Sequence, residues 1–238
     1  MDEKITIRKA NIEDLQQIQK RFEEYIEQLK PYVIDLFKKD SSGHDISHLI
    51  RTMNLALSIQ EKEGGDRIVI GIAAFLHDIH RIMQNTSGKF VEPKDSIDTV
   101  RKILSNIDID EDTENKICYA IEHHEQYNWN GNNVEDINTL ILQDADNLDA
   151  IGAIGIGRTF TFGGSANIPM YDENISLNMD NHFSDSKNDP STIHHFYHKL
   201  FRLKDNMNTE TGKRMAEERT IYMHEFVNEF LVEWNGEK

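Results

Sequence analysis

The chain has 238 residues, a hydrophobic fraction of 38% and a net charge of −16 at pH 7, a length sufficient for one well-buried domain. The acidic balance excludes a sequence-independent grip on nucleic-acid phosphates, which requires clustered Lys and Arg, but leaves room for a phosphorylated small molecule bound through a divalent cation. The single cysteine excludes an intramolecular disulfide, and the lack of a long apolar run or a signal-peptide core predicts a cytoplasmic protein without membrane contact.

Helical spacing of apolar residues recurs along the chain and only four prolines occur, so we predict an all-α fold. Residues 1–40 contain one amphipathic helix, which we expect to cover the core as an N-terminal extension. The segment HLIRTMNLALSIQEKEGG then predicts a helix that is capped by Asp45 or Ser47 and stops at Gly64 and Gly65.

A strongly apolar segment, IVIGIAAFL, follows and predicts a buried helix over roughly residues 66–83 that carries His77 and Asp78. Two amphipathic helices come next, in PKDSIDTVRKILSNI and in DEDTENKICYAIEHHEQY. The segment DINTLILQDADNLDAIGAIGIGRTF predicts one apolar helix, interrupted by glycines that let neighbouring backbones approach closely.

Residues 163–190 are polar, rich in asparagine and aperiodic, which predicts a long loop of the kind that is usually functional or mobile. Two further helices complete the chain, in STIHHFYHKLFRLKDNM and in TETGKRMAEERTIYMHEFVNEFLVEW. The predicted organisation is therefore a single helical domain over residues 41–238, with residues 1–40 packed on it.

Histidines and carboxylates occur where neighbouring helices could bring them together. His77 and Asp78 end the apolar segment, and a buried carboxylate there needs a partner that offsets its desolvation, for which a cation is the strongest choice. His48 begins the preceding helix, and Asp144 or Asp146 lies in LQDADNLDA. Imidazoles with carboxylates suit Mn, Fe, Zn or Co, and such a site leaves positions open to water, as hydrolysis requires.

The order H…HD…D, in HDISHLIRT, AAFLHDIHR and QDADNLDAIGA, resembles the HD superfamily of metal-dependent phosphohydrolases. Together with FYHKLFRLKDNMNTETGKRMAEERTIYMHEF, these segments are similar to a bacterial branch of HD hydrolases that includes nucleoside-triphosphate pyrophosphohydrolases, over about residues 40–234. The resemblance implies an HD helical bundle and one divalent metal, which could be Mn, Fe, Co, Zn or Mg. The metal ligands that it implies are His48, His77, Asp78 and Asp146.

The same resemblance leaves His44 and Asp144 as residues that lie behind the ligands and support them. His80 follows His77 by about one helical turn, so it could reach the site as a proton carrier or phosphate contact, but a solvent-facing histidine is the favoured interpretation.

The segment IEHHEQYNW raises the question of a second metal. In binuclear members of the superfamily, histidines between the HD pair and the last Asp bind it, and His123 and His124 lie in that interval. Adjacent helical residues point about 100° apart, so we expect only one of the two to face the site. A solvated histidine beside Glu125 is the alternative.

We expect cations beyond the metal to contact the substrate phosphate. Arg158 precedes the polar loop, and a guanidinium can hold a phosphate through two parallel hydrogen bonds. Ion pairs with the surplus acids are the alternative for each cation. The other candidate cations are Arg51, Lys199 and Lys204. The candidates for the group that manages the proton are Glu122, Glu125 and Asp149.

The predicted function is metal-dependent hydrolysis of a nucleotide, for example of a nucleoside or deoxynucleoside triphosphate to monophosphate and pyrophosphate, a substrate class implied by the resemblance alone. The same scaffold could instead cleave a phosphomonoester or a cyclic phosphodiester, serve as a di-iron oxygenase, or bind a nucleotide as a sensor without turnover. A helical protein-interaction domain with coincidental histidines would bind no metal. A homodimer is compatible with each alternative.

Overall fold

The structure is a computed structural model, and it describes residues 12–38, 45–126, 134–177 and 189–238. The helices are α1 (Ile12–Phe37), α2 (Ile46–Glu63), α3 (Arg67–Leu76), α4 (Ile79–Ser87), α5 (Ile97–Leu104), α6 (Glu111–His123), α7 (Ile137–Asp149), α8 (Gly152–Ser165), α9 (Thr192–His198) and α10 (Glu210–Trp234). Short 3-10 helices precede α5 at Pro93–Ser96 and follow α9 at Leu200–Asn206. No strand occurs in these four ranges, and the all-α prediction is confirmed.

Helix α3 is the central element of the bundle. All its residues from Val69 to Leu76 are buried, as expected for a helix that is apolar on every side. The Asp66 carboxylate caps its start by accepting hydrogen bonds from the backbone N–H groups of Ile68 and Val69. Helices α2, α6 and α7 pack against it, and these neighbours carry most of the site described below.

The N-terminal helix α1 covers α3. Phe22, Leu29 and Val33 on α1 are buried, and Gly71 on α3 makes their close approach feasible. A Cβ at Gly71 would lie 2.3 Å from a ring carbon of Phe22, which no ordinary contact allows. The predicted domain boundary near residue 40 lies outside the described residues.

The predicted single helix over residues 66–83 is wrong, because the chain turns at His77 and Asp78. Helix α3 ends at Leu76, and Asp78 adopts φ −91° and ψ 13° before α4 begins at Ile79. The apolar spacing continues across the turn, with Ile79 buried, so periodicity did not reveal it. The turn places both side chains of the HD pair beside α2 and α7.

The predicted helix through DINTLILQDADNLDAIGAIGIGRTF is also two helices. Helix α7 ends at Asp149, and Gly152 adopts φ 76°, a left-handed conformation that glycine accommodates without strain. A Cβ at Gly155 would lie 2.2 Å from the carbonyl oxygen of Ala150, so α8 starts close against the end of α7.

The polar loop begins later than its composition predicts, because α8 continues to Ser165. Residues 178–188 of the predicted loop lie outside the described part of the chain. Among the described helices, none combines the length and apolar character needed to cross a membrane.

Candidate metal centre

The turn between α3 and α4 brings the HD pair to His48 and Asp146. His48 lies in the first turn of α2, where the Asp45 side chain accepts a hydrogen bond from its backbone N–H at 2.9 Å. The His48 Nε2 atom lies 3.2 Å from Asp78 Oδ2 and 3.5 Å from Asp146 Oδ1. The four residues expected to bind the metal therefore face one another.

Second hydrogen bonds fix the direction of both imidazoles. His48 Nδ1 donates to Asp149 Oδ2 at 2.7 Å, and His77 Nδ1 donates to the carbonyl oxygen of Ala74 at 2.9 Å. With Nδ1 protonated, each ring presents the Nε2 lone pair, and the two Nε2 atoms lie 3.2 Å apart. A hydrogen-bonded backbone or carboxylate partner at the far nitrogen is the usual arrangement of metal-binding histidine.

The donor separations fit one divalent cation. Ligand atoms about 2.1 Å from a metal, at angles between octahedral and tetrahedral, lie about 3.0–3.4 Å apart. The observed separations run from 3.2 Å, inside this range, to 3.7 Å between His77 Nε2 and Asp78 Oδ1, which exceeds it by about 0.3 Å. Two nitrogen and two carboxylate donors suit Mn, Fe, Co or Zn.

The two carboxylates of the cluster, Asp78 and Asp146, favour a positive charge at its centre. Burial alone lowers the pKa of His77, but the carboxylates of Asp78 and Asp146 raise it to about 9. Burial raises the pKa of Asp146, and the two imidazoles outweigh this and lower it below its ordinary value. The same positions that stabilise a proton on His77 favour a cation bound in its place.

A second acceptor cluster, formed by His80, His124 and Glu125, adjoins the first. The Nδ1 atoms of His80 and His124 donate to the carbonyl oxygens of His77 and Ile121 at 3.1 Å and 2.6 Å. Their Nε2 atoms are buried and meet no hydrogen-bond geometry within the described residues, although His80 Nε2 lies 3.4 Å from Glu125 Oε1. His80 is fully buried, so a solvent-facing His80 is wrong.

The surroundings shift the pKa of two members of the second acceptor cluster, His124 and Glu125. Burial lowers the pKa of His124 to about 4, which leaves its imidazole neutral. Burial raises the pKa of Glu125, but His80, His124 and Arg81 outweigh it and lower the value to about 2. Ligand atoms of the three residues lie within 4.8 Å of one another and could hold a metal ion.

Asp149 joins the metal centre to two arginines. Its buried carboxylate accepts from His48, from Arg51 Nε and Nη2 at 2.7 and 2.9 Å, and from Arg158 Nη1 at 2.9 Å. Burial raises the pKa of Asp149, and the hydrogen bonds from His48 and Arg51 lower it well below its usual range. Asp149 therefore positions His48, and it does not line the cavity described next, so it is not placed to take a proton from the attacking water.

A cavity opens beside both clusters. The space between its walls, including the open mouth, is about 960 Å³. Apolar side chains such as Phe162 and Leu203 form part of the wall. The charged residues of the wall are Asp78, Arg81, Glu125, Asp146, Arg158 and Lys199.

Several predicted residues lie elsewhere. Of the adjacent histidines only His124 faces the site, because His123 stacks on Tyr119 with its Nδ1 donating to the Tyr119 carbonyl oxygen. Glu122 is exposed. Lys204 is exposed and pairs with Asp205 at 2.7 Å, away from the cavity wall.

Three further candidates, Arg51, Asp144 and His44, are not found on the described cavity wall. Arg51 is engaged by Asp149 and does not line the cavity. Asp144 accepts from the backbone N–H groups of Asn208 and Thr209 at 2.7 and 2.8 Å, so it anchors the start of α10 instead of supporting the ligands. His44 falls outside the described residues.

The sequence reasoning missed three residues of the site. Arg81 ends the quoted segment FLHDIHR three positions after Asp78, so helical spacing could have indicated it. His195 lines the cavity from α9, and Asp189 contacts His195 from the chain before that helix. Nothing in the local pattern distinguishes these two from other polar residues near the loop.

Comparison with known proteins gives consistent matches. The HD domain family profile matches residues 45–151. The chain is 32% identical to the uncharacterised protein YpgQ of Bacillus subtilis, over 85% of this chain and 90% of that protein. A crystal structure of an HD-superfamily hydrolase from Bacillus thuringiensis is 34% identical, with a TM-score of 0.68 over 92% of this chain and 98% of that one.

A structure of Bacillus subtilis YpgQ in complex with ADP is similar as well. It is 31% identical, covers 86% of this chain and 94% of that one, and has a TM-score of 0.66.

Proposed function

Since this chain belongs to the HD domain family of metal-dependent phosphohydrolases, we propose that it hydrolyses a nucleotide, with nucleoside and deoxynucleoside triphosphates cleaved to monophosphate and pyrophosphate. One observation carries the proposal. The cavity that reaches Asp78 and Asp146 also has Arg81, Arg158 and Lys199 on its wall. The similarity to YpgQ, which binds ADP, supports a nucleotide as the phosphorylated substrate.

We assign the metal to His48, His77, Asp78 and Asp146, whose separations fit one cation. These four residues would hold a divalent cation, which would supply a Lewis acid for a phosphoryl oxygen and would lower the pKa of a bound water toward neutrality. Asp146 is the ligand whose side chain is 23% exposed and lines the cavity, so the substrate meets the centre on that side.

We assign phosphate binding and proton transfer to residues that line the cavity beside the metal centre. Arg158 and Lys199 face the cavity, where they can neutralise phosphate oxygens. Burial lowers the pKa of Lys199, and Asp146 opposes this shift. Among the three acids considered for the proton, Glu125 lines the cavity. Its Oε1 atom pairs with Arg81, so Oε2 is the atom to which we assign the proton released by the attacking water.

We also propose that the second acceptor cluster binds a second, weaker cation. Two buried imidazole nitrogens, Nε2 of His80 and of His124, lack a hydrogen bond among the described residues, and a cation held with Glu125 satisfies both. Arg81 competes for Glu125 and weakens this site relative to the first.

Metal counting tests the second site. After equilibration with Mn²⁺ we expect two metal ions per wild-type chain and one in His124→Ala, because His124 supplies a donor to the second cluster. His123→Ala is the matched control, since the neighbouring ring stacks on Tyr119, and it should retain two. One ion in the wild-type protein would contradict the second site while leaving the first intact.

The substrate proposal is tested by product analysis. The purified protein is incubated with ribo- and deoxynucleoside triphosphates and with Mn²⁺, Co²⁺ or Mg²⁺, and pyrophosphate and phosphate are measured separately. We expect pyrophosphate and monophosphate in equal amounts. Phosphate alone would indicate a phosphomonoesterase, cleavage of cyclic nucleotides only would indicate a phosphodiesterase, and saturable binding without product would indicate a sensor; each would contradict the proposal.

Arg158→Gln provides the residue-specific test of phosphate binding. Arg158 donates to Asp149 and lines the cavity. Its loss should therefore raise KM for a nucleoside triphosphate while the metal content stays close to that of the wild-type protein. An unchanged KM would argue that phosphate binds elsewhere on the wall.

A further inference from the structure

The wall of the cavity formed by α9 carries an imidazole held by a buried carboxylate. Asp189 lies just before α9, and its side chain is only 1% exposed. Its Oδ2 accepts from His195 Nδ1 at 2.6 Å, and its Oδ1 accepts from His198 Nδ1 at 2.6 Å. The carboxylate therefore sets the orientation of both rings.

His195 has one nitrogen available to a substrate. Its side chain is 12% exposed and lines the cavity, and with Nδ1 engaged by Asp189 its Nε2 has no partner among the described residues. His198 differs, because its Nε2 is buried. Of the two imidazoles on Asp189, His195 is the one that a bound molecule can reach.

Carboxylate and imidazole in this arrangement form a unit for proton transfer. The carboxylate holds the Nδ1–H tautomer and stabilises the imidazolium that forms when Nε2 takes up a proton. The metal-centre acids Asp78 and Asp146 come from the turn before α4 and from α7, whereas His195 comes from α9, so the two groups approach the substrate from different walls of one cavity. Hydrolysis of a bond with a basic leaving group is accelerated by one group at the attacking oxygen and another at the leaving oxygen.

We propose that His195, positioned by Asp189, is the general acid that protonates the leaving group; the proposal rests on the phosphohydrolase function described above. Water oxygen forms a bond to phosphorus while the bond from phosphorus to the leaving oxygen breaks. That bond's electron pair stays on the leaving oxygen, which takes the proton from His195 Nε2. Glu125 accepts the proton lost by the water, and exchange with solvent restores both residues.

Two esters of thymidine 5′-monophosphate test the acid directly. The p-nitrophenyl ester releases an acidic phenol that leaves without help, whereas the phenyl ester releases a basic phenolate that needs a proton. General acid catalysis contributes about 10²–10⁴-fold, so His195→Asn should lose at least about 10²-fold in kcat on the phenyl ester and under about tenfold on the p-nitrophenyl ester. Equal losses on both esters would overturn the proposal.

Two more variants separate catalysis from structure. His224→Asn changes an exposed histidine of α10 that stacks on Phe201, and it should leave kcat on both esters unchanged. Asp189→Asn keeps the side-chain shape but weakens the orientation of His195, so it should show the same preference for the p-nitrophenyl ester with a smaller loss. A loss of the same size on both esters in Asp189→Asn would make Asp189 a structural residue alone.

Binding of inorganic pyrophosphate provides a readout that needs no turnover. In the metal-loaded protein, His195→Asn should raise the dissociation constant by about tenfold, the equivalent of one hydrogen bond to a charged group. If the wild-type protein cleaves neither nucleotides nor the esters, the nucleotide proposal fails and this measurement decides on His195. In that case, an unchanged dissociation constant of pyrophosphate in His195→Asn would overturn the assignment of His195. A dissociation constant that rises in His195→Asn but not in His224→Asn would support it.

Discussion

His77→Ala will remove the bound metal and lower phosphohydrolase turnover by at least about 10³-fold, because metal catalysis supplies several kcal/mol and each 1.36 kcal/mol is tenfold in rate. His77 Nε2 lies within 3.7 Å of His48, Asp78 and Asp146, so its loss opens the centre of the cluster. The measurement is metal content by mass spectrometry beside turnover of the same sample.

The control for this prediction separates metal loss from unfolding. A bound metal stabilises the folded state, so a chelator should lower the melting temperature of the wild-type protein. The same chelator should leave His77→Ala unchanged, and His77→Asn should behave in the same way if the truncation itself is too disruptive. His77→Ala protein with normal metal content and normal turnover would refute the assignment of the metal centre.

Asp149→Asn will weaken metal binding by about 10–100-fold, the usual effect of removing a carboxylate that orients a ligand histidine. The change also leaves His48, Arg51 and Arg158 without the charge that holds them. Removing one partner of a buried ion pair costs about 3–5 kcal/mol, so the unfolding free energy should fall by about 3 kcal/mol. Metal titration and urea unfolding measure the two effects.

Two variants show which contact is responsible. Arg51→Met removes a partner on the side away from the cavity, so it should reduce stability while metal affinity stays near the wild-type value. Asp205→Asn removes an exposed acid paired with Lys204 and should change the unfolding free energy by less than about 1 kcal/mol. Unchanged metal affinity in Asp149→Asn would show that the Nδ1 contact does not position His48.

The composition and periodicity of the chain predicted its helical class but not its breaks. The turn at His77 and Asp78 interrupts a segment whose apolar spacing continues on both sides. The spacing of apolar residues indicates which side chains face the core. Two successive helices can have the same spacing as one long helix, so the spacing does not locate the turn between them. Gly152 and Gly155 did signal close packing, yet their conformation and contacts end one helix and start another.

The site could be predicted where its residues follow each other in an ordered motif. His48, His77, Asp78 and Asp146 came from the order of the motif, and the structure brings them together. Asp149 was recognised as an acid near the site, but its hydrogen bonds depend on Arg51, 98 residues away. Partners at such separations are determined by packing and leave no local signal.

The cavity wall shows the same limit. Four cations were considered for the phosphate, and Lys204 and Arg51 could not be told from Arg158 and Lys199 by residue type. The side of the helix that faces the cavity decides between them, and that depends on how α8 and α9 pack. Arg81 and His195 were missed for the same reason.

The hydrogen bonds of Asp149 also link two binding equilibria. One of its carboxylate oxygens, Oδ2, serves both His48 and Arg158. A phosphate that draws Arg158 toward the cavity weakens the pairing of Arg158 with Asp149. The Asp149 carboxylate then polarises the His48 ring more strongly, which makes the Nε2 atom a better ligand for the metal. If the proposed metal and phosphate sites are correct, we expect metal and phosphate to bind cooperatively, and by reciprocity each raises the affinity of the other by the same factor.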